Sequence, residues 1–167
     1  SNFIFGNIAM NLLTKSKQAI IVSKILQPLN TFKRITVVFT PNAELENGFA
    51  RSIIKINAIL KQLGSTAIIY GTVNTLEAFS TIINDKKKIF YKYINLEAFE
   101  EVQEINATKE DDLFIFLSAR KQTLSFDHVV DEMPKKLNKN SEFISFIVFY
   151  PDISKALHED RIMDNTY

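Results

Sequence analysis

Arg34-Ile-Thr-Val-Val-Phe-Thr-Pro-Asn42 decides how the rest of the chain is read. A basic residue leads into an apolar, β-branched run that stops at Thr-Pro-Asn, the pattern of a buried parallel strand whose carboxyl end opens into a loop. Ligands of open α/β sheets sit outside the carboxyl ends of strands, so Thr40, Pro41 and Asn42 are the first place to look for a site. That loop holds no glycine-rich phosphate cradle, no acidic residue before Glu44 and no nucleophile beside a base. The residues alone therefore point to an α/β domain and to no particular chemistry.

On the carboxyl side of this strand the pattern alternates. Ala43 to Leu63 carries Phe49, Ile53, Ile56, Leu60 and Leu63 on one stripe, which predicts an amphipathic helix stopped by Gly64. Ser65 to Gly71 is a second strand. Asn74 or Thr75 is expected to cap a helix through Asp85, with Glu77 in its first turn. Lys86 to Lys88 lead into a third strand, Ile89 to Ile94, and Asn95 opens a helix over Leu96 to Ile105. Asp111 and Asp112 read as solubilising turn residues before a fourth strand, Leu113 to Ser118. A helix over Ser125 to Met133, limited by Pro134, leads to a fifth strand, Glu142 to Tyr150, stopped by Pro151 and Asp152. Such alternation predicts a five-stranded parallel sheet, doubly wound by right-handed crossovers with helices on both faces.

On the amino side, Phe3 to Thr14 has helical spacing and Gln18 to Ile25 is a β-branched strand. This extra helix and strand have no earlier partner, and alone they leave a bare sheet edge. Residues 25–32, with Pro28 and Asn30, read as a connection, and residues 153–167 as a polar tail.

Composition narrows the function classes. The chain has 167 residues, 46% hydrophobic and 23% charged, so it can bury a core. A formal charge of +1, spread along the chain, gives no field to gather nucleic acid. Without cysteine there is no disulfide, thiolate metal site or cysteine nucleophile. No run approaches the roughly 20 apolar residues of a membrane span, so the fragment is expected to be soluble. His128 lies beside Asp127 and Asp131, but with two histidines in the chain and a surface helix as their setting, no metal site is expected. Ser118, Ala119 and Arg120 follow the fourth strand and, with Thr40 to Asn42, would line the crevice between the first and fourth strands, where an anion would be met by Arg120 or the Ser118 hydroxyl.

The order of elements, the Thr-Pro-Asn loop and the first segment together resemble a universal stress protein domain. The run Phe5 to Phe49 is more closely similar to the cytosolic part of bacterial sodium/proton antiporters of the monovalent cation:proton antiporter-2 family, in which two such domains stand in tandem. The resemblance implies a Rossmann-like sheet in which residues 1–26 close a preceding domain, Gly6-Asn7 standing where the family opens its last helix, and residues 27–152 form a complete second one. ATP-binding members carry an acidic residue after the first strand and a Gly-x-x-Gly loop after the fourth; here Thr40 to Asn42 and Ser118 to Arg120 stand in those places. The resemblance thus implies a non-enzymatic regulatory or structural module at the cytoplasmic face of the inner membrane, without a cofactor, whose partner is the transmembrane part of its own chain. The alternative is a nucleotide-binding stress protein using Thr40, Asn42, Ser118 and Arg120. Residues 18–25 and 142–150 are expected to pair antiparallel, within one chain or between two copies as a homodimer.

Overall fold

The computed structural model describes residues 7–83, 89–91, 111–140 and 143–154. In chain order the elements are α1 (Asn7–Lys15), β1 (Ile20–Lys24), β2 (Arg34–Phe39), α2 (Phe49–Leu63), β3 (Thr66–Tyr70), α3 (Val73–Ile83), β4 (Ile89–Tyr91), β5 (Asp112–Leu117), α4 (His128–Asn140) and β6 (Ser145–Tyr150), with short 3-10 turns at Leu29–Thr31 and Ala43–Leu45. The strands form one sheet in the order β1-β6-β5-β2-β3-β4. From β2 to β6 every neighbouring pair is parallel, and β1 alone is antiparallel, on β6. The protein is thus α/β with a mostly parallel sheet, an arrangement consistent with a Rossmann-like fold.

Burial on both faces explains the unbroken apolar strands. All residues of β5 and β6 are buried, and in β2 only Arg34 is not. Alternate side chains then serve opposite faces. On one, Ile35, Val37, Phe39, Leu113 and Ile115 pack with Ile53 and Ile56 of α2 and Leu76 and Phe79 of α3. On the other, Val38, Phe114, Phe116, Phe146 and Val148 pack with Val130, Met133 and Leu137 of α4, and Met10, Leu13, Ile20 and Val22 cover this second cluster from the amino-terminal side. Chain order runs outward from β2 through β3 to β4, then resumes on the far side of β2 with β5 and β6. The carboxyl ends of β2 and β5 therefore flank the point where strand order reverses.

The amino-terminal strand belongs to this sheet. β1 pairs with β6 from Ile20↔Tyr150 to Lys24↔Phe146. Beyond the pair, the Ile153 amide donates to Lys17 O (2.8 Å) and the Leu26 amide to Ser145 Oγ (3.0 Å). In α1 the inward residues are Ala9, Met10 and Leu13, whereas Ile8 and Leu12 face solvent.

Several boundaries differ from those expected. α2 starts at Phe49, because residues 43–45 make a 3-10 turn and Gly48 backs onto Asp152: a Cβ there would stand 2.6 Å from Asp152 N. Its apolar stripe is as read, and Gly64 (φ +60°) ends it, with its amide on Leu60 O at 3.1 Å. α3 starts at Val73 with Thr72 ahead of it, so neither Asn74 nor Thr75 is the cap and Glu77 falls beyond the first turn. α4 starts later than Ser125 and runs through Pro134 to Asn140. An interior proline costs about 3 kcal/mol; burying Val130, Met133 and Leu137 at roughly 1.5–3 kcal/mol each outweighs it. The fifth strand begins at Ser145, three residues after the expected Glu142. Asp112 is no turn residue: it is buried as the first residue of β5. Lys86 to Lys88, the ends of the expected strand beyond Tyr91, the helix over Leu96 to Ile105, Gly6 and the tail beyond Ser154 lie outside the described residues.

Candidate functional site

The crevice at the reversal point starts from the two chain segments that leave β2 and β5. Thr40 extends the ladder, its amide donating to Leu117 O at 2.9 Å. Pro41 turns the chain and Asn42 takes a left-handed conformation (φ 59°), which asparagine tolerates better than most residues. On the other side the Ser118 amide donates to Phe149 O at 2.9 Å, and Ser118 is buried.

Polar side chains from the same two segments hydrogen-bond across the space between them. Thr40 Oγ1 donates to Ser125 O (2.5 Å), and Ser125 in turn gives its amide (3.0 Å) and its hydroxyl (2.5 Å) to Glu46 Oε1. Glu44 reaches the start of α3, where its Oε2 accepts from the buried Thr75 Oγ1 at 2.6 Å, itself 2.8 Å from Thr72 Oγ1. A carboxylate at a helix start complements the helix dipole. The Ser125 donors at this crevice are thus engaged by Glu46, whose charge opposes a second anion, while Glu44 does the same at the neighbouring start of α3.

Arg120 turns away from the crevice toward β1 and β6. It is 4% exposed, and its guanidinium donates through Nη1 to Pro151 O and through Nη2 to Gln18 O. Nε is buried without a hydrogen-bond partner among the described residues. No described carboxylate lies within ion-pair distance of it, and burial lowers its pKa. Among the four residues nominated from the sequence, Thr40 and Arg120 are spent on backbone carbonyls of distant segments. Asn42 is exposed, and Ser118 hydrogen-bonds the Tyr150 side chain, whose hydroxyl burial drives far above its usual range. The four do not converge on one point.

The Asp127, His128, Asp131 group resolves into separate roles. Asp127 caps α4, its Oδ1 accepting from the Val130 amide at 2.9 Å. His128 is exposed, and Asp131 is raised in pKa, chiefly by burial, with Lys135 4.0 Å away. No set of three or more His, Asp or Glu side chains able to hold a metal gathers among the described residues. No described helix is long and apolar enough to cross a membrane.

Two features escaped sequence reasoning. Arg34 and Asp112 are register partners on β2 and β5, and Arg34 Nε donates to Asp112 Oδ1 at 3.0 Å while Nη2 meets Oδ2. A signal existed: each of two apolar runs is preceded by charge, Lys33-Arg34 and Asp111-Asp112, and adjacent parallel strands bring such leaders together. The Glu44 and Glu46 contacts left no comparable trace. Set beside protein-family models, curated proteins and solved structures, the chain gives no significant match in any of the three.

Proposed function

We propose that the chain is a non-catalytic regulatory module with a doubly wound, universal stress protein-like sheet, serving as the cytosolic part of a membrane cation/proton antiporter. The observation that supports it best is the bridging of the reversal-point crevice by Glu46, which takes the Ser125 amide and hydroxyl while Thr40 holds Ser125 O. A crevice bridged by its own carboxylate suits a part that transmits contacts and not one that turns over an anionic substrate. The link to an antiporter rests on the resemblance of residues 5–49.

Fractionation of the cells that make the protein tests the reading. An antibody against this chain should detect a polypeptide much larger than 19.2 kDa in the membrane fraction, and deleting these residues from it should alter sodium-driven proton exchange in inverted vesicles. Detection only as a small protein in the soluble fraction would sink the proposal. Titration with ATP and magnesium should leave the melting temperature where it was; a site filled at 100 times its Kd adds about 2.7 kcal/mol, a shift that would favour the nucleotide-binding alternative.

A further inference from the structure

A cavity of about 150 Å³ lies at the carboxyl ends of β5 and β6, on the face that carries α1 and α4. Met10 and Leu13 of α1, Ala119 after β5 and Tyr150 of β6 contribute to its wall, most of which is apolar. It is separate from the bridged crevice, since neither Glu44 nor Glu46 reaches it.

The charged side chains around it are already answered. Both Nη atoms of Arg120 are taken by the carbonyls of Pro151 and Gln18, and the Asp152 carboxylate acts on its charge. Lys135 is held by Glu132 at 2.8 Å with Asp131 4.0 Å away, and Asp131 also acts on Lys121. Each of these cations is thus opposed by a carboxylate. An ion entering the cavity would give up hydration without meeting a free counter-charge. A neutral apolar molecule surrenders no such hydration and gains by leaving water.

We infer that this cavity binds a small neutral aromatic molecule about the size of benzene, and that the bound molecule fastens α1 to the sheet. The size follows from volume, since an apolar cavity of about 150 Å³ accommodates benzene. A ring is favoured because methionine and tyrosine side chains both gain from contact with aromatic groups, and the wall has one of each, Met10 and Tyr150. The effect on α1 follows from where the wall comes from. Ala9, Met10 and Leu13 are the α1 residues packed on the core, none of them fully buried, and two of the three border the cavity. A molecule seated there adds contacts that are lost when α1 lifts, so binding opposes the lifting. The inference stands on the cavity alone and does not require the transporter reading.

Benzene, titrated into the isotopically labelled full chain at neutral pH and followed by amide NMR, tests it. Saturable shifts are expected at Leu13, Ala119 and Tyr150, with benzoate and benzylammonium each binding at least about tenfold more weakly because neither charge finds a free partner. At saturating benzene the amides of α1 should exchange with solvent more slowly. Ala119→Leu should abolish the shifts by filling the space, and the comparison with the two ions on the unaltered chain decides the matter whether or not that variant folds. The inference is overturned if benzene produces no saturable shift at these residues, if either ion binds as tightly as benzene, or if exchange in α1 is unchanged at saturation.

Discussion

Arg34 and Asp112 face each other across the first rung of two parallel strands, with the carboxylate 4% exposed and the guanidinium side chain 32% exposed. Two-pronged contact of this kind holds its geometry better than a lysine pair would. Removing one partner strands the other charge in a poorly solvated place. Asp112→Ala is therefore expected to lower unfolding free energy by about 3 kcal/mol, measured by urea denaturation. The double change Arg34→Met with Asp112→Leu should recover most of that loss, because an apolar pair carries no desolvation cost. Asp131 gives a second prediction, of opposite sign. Burial raises its carboxyl above the ordinary aspartate range in the folded chain, against the pull of Lys135, Lys121 and His128, with Glu132 adding to the rise and Tyr150 close by. A raised acid favours the fold only while protonated, so the ionisation penalty is absent below the unfolded pKa and complete once pH passes the folded one. Asp131→Asn should accordingly raise the melting temperature at pH 7, and its advantage should vanish as pH falls below the normal aspartate value. A difference that stays constant with pH would contradict this.

Elements show which parts of the fold could be read in advance and which could not. β2, β5 and β6 are legible as unbroken apolar runs because burial on both faces removes the need for polar residues, and Gly64 is legible because few other residues take its φ. Asn42-Ala43-Glu44-Leu45-Glu46 fits a helix by local preference, yet its two carboxylates are drawn to Thr75, 31 residues away, and Ser125, 79 away. Local pattern cannot register partners that distant. Arg120 was legible as a residue of consequence near the sheet's carboxyl edge, but its acceptors, 31 and 102 residues off in sequence, were not. The start of α2 is likewise a tertiary matter. With the backbone of Asp152 occupying the space a side chain at Gly48 would need, Gly48→Ala should push residues 151–152 away and cost about 1–3 kcal/mol, read as a lower midpoint in thermal or chemical denaturation. Gly64→Ala meets no atom within 4 Å and suffers only from its φ, which sets it near 1 kcal/mol.

At the scale of the whole molecule, β1 decides whether the sheet ends safely. It covers the edge of β6 with five register pairs and brings Ile20 and Val22 over the second core cluster. A chain begun at Pro28 would expose the backbone of β6 and the apolar residues beneath α1. Such edges recruit other strands, so the shortened chain should sediment as dimers or larger species while the 167-residue chain does so much less. A well-behaved shortened monomer would show that β1 is dispensable.

The way β1 lies on β6 also fixes how the molecule would respond to being pulled. Residues 17 and 153 enter and leave at the same end of that antiparallel pair, joined by the Ile153 amide and clasped by Arg120 through the carbonyls of Gln18 and Pro151. Tension between the two tails would load Ile20 and Tyr150 first and then peel the strands apart rung by rung, instead of sliding them against all their hydrogen bonds at once. A single guanidinium sits where that tearing would start, so the force at which the amino-terminal strand lets go is set by whatever strengthens or weakens the grip of Arg120.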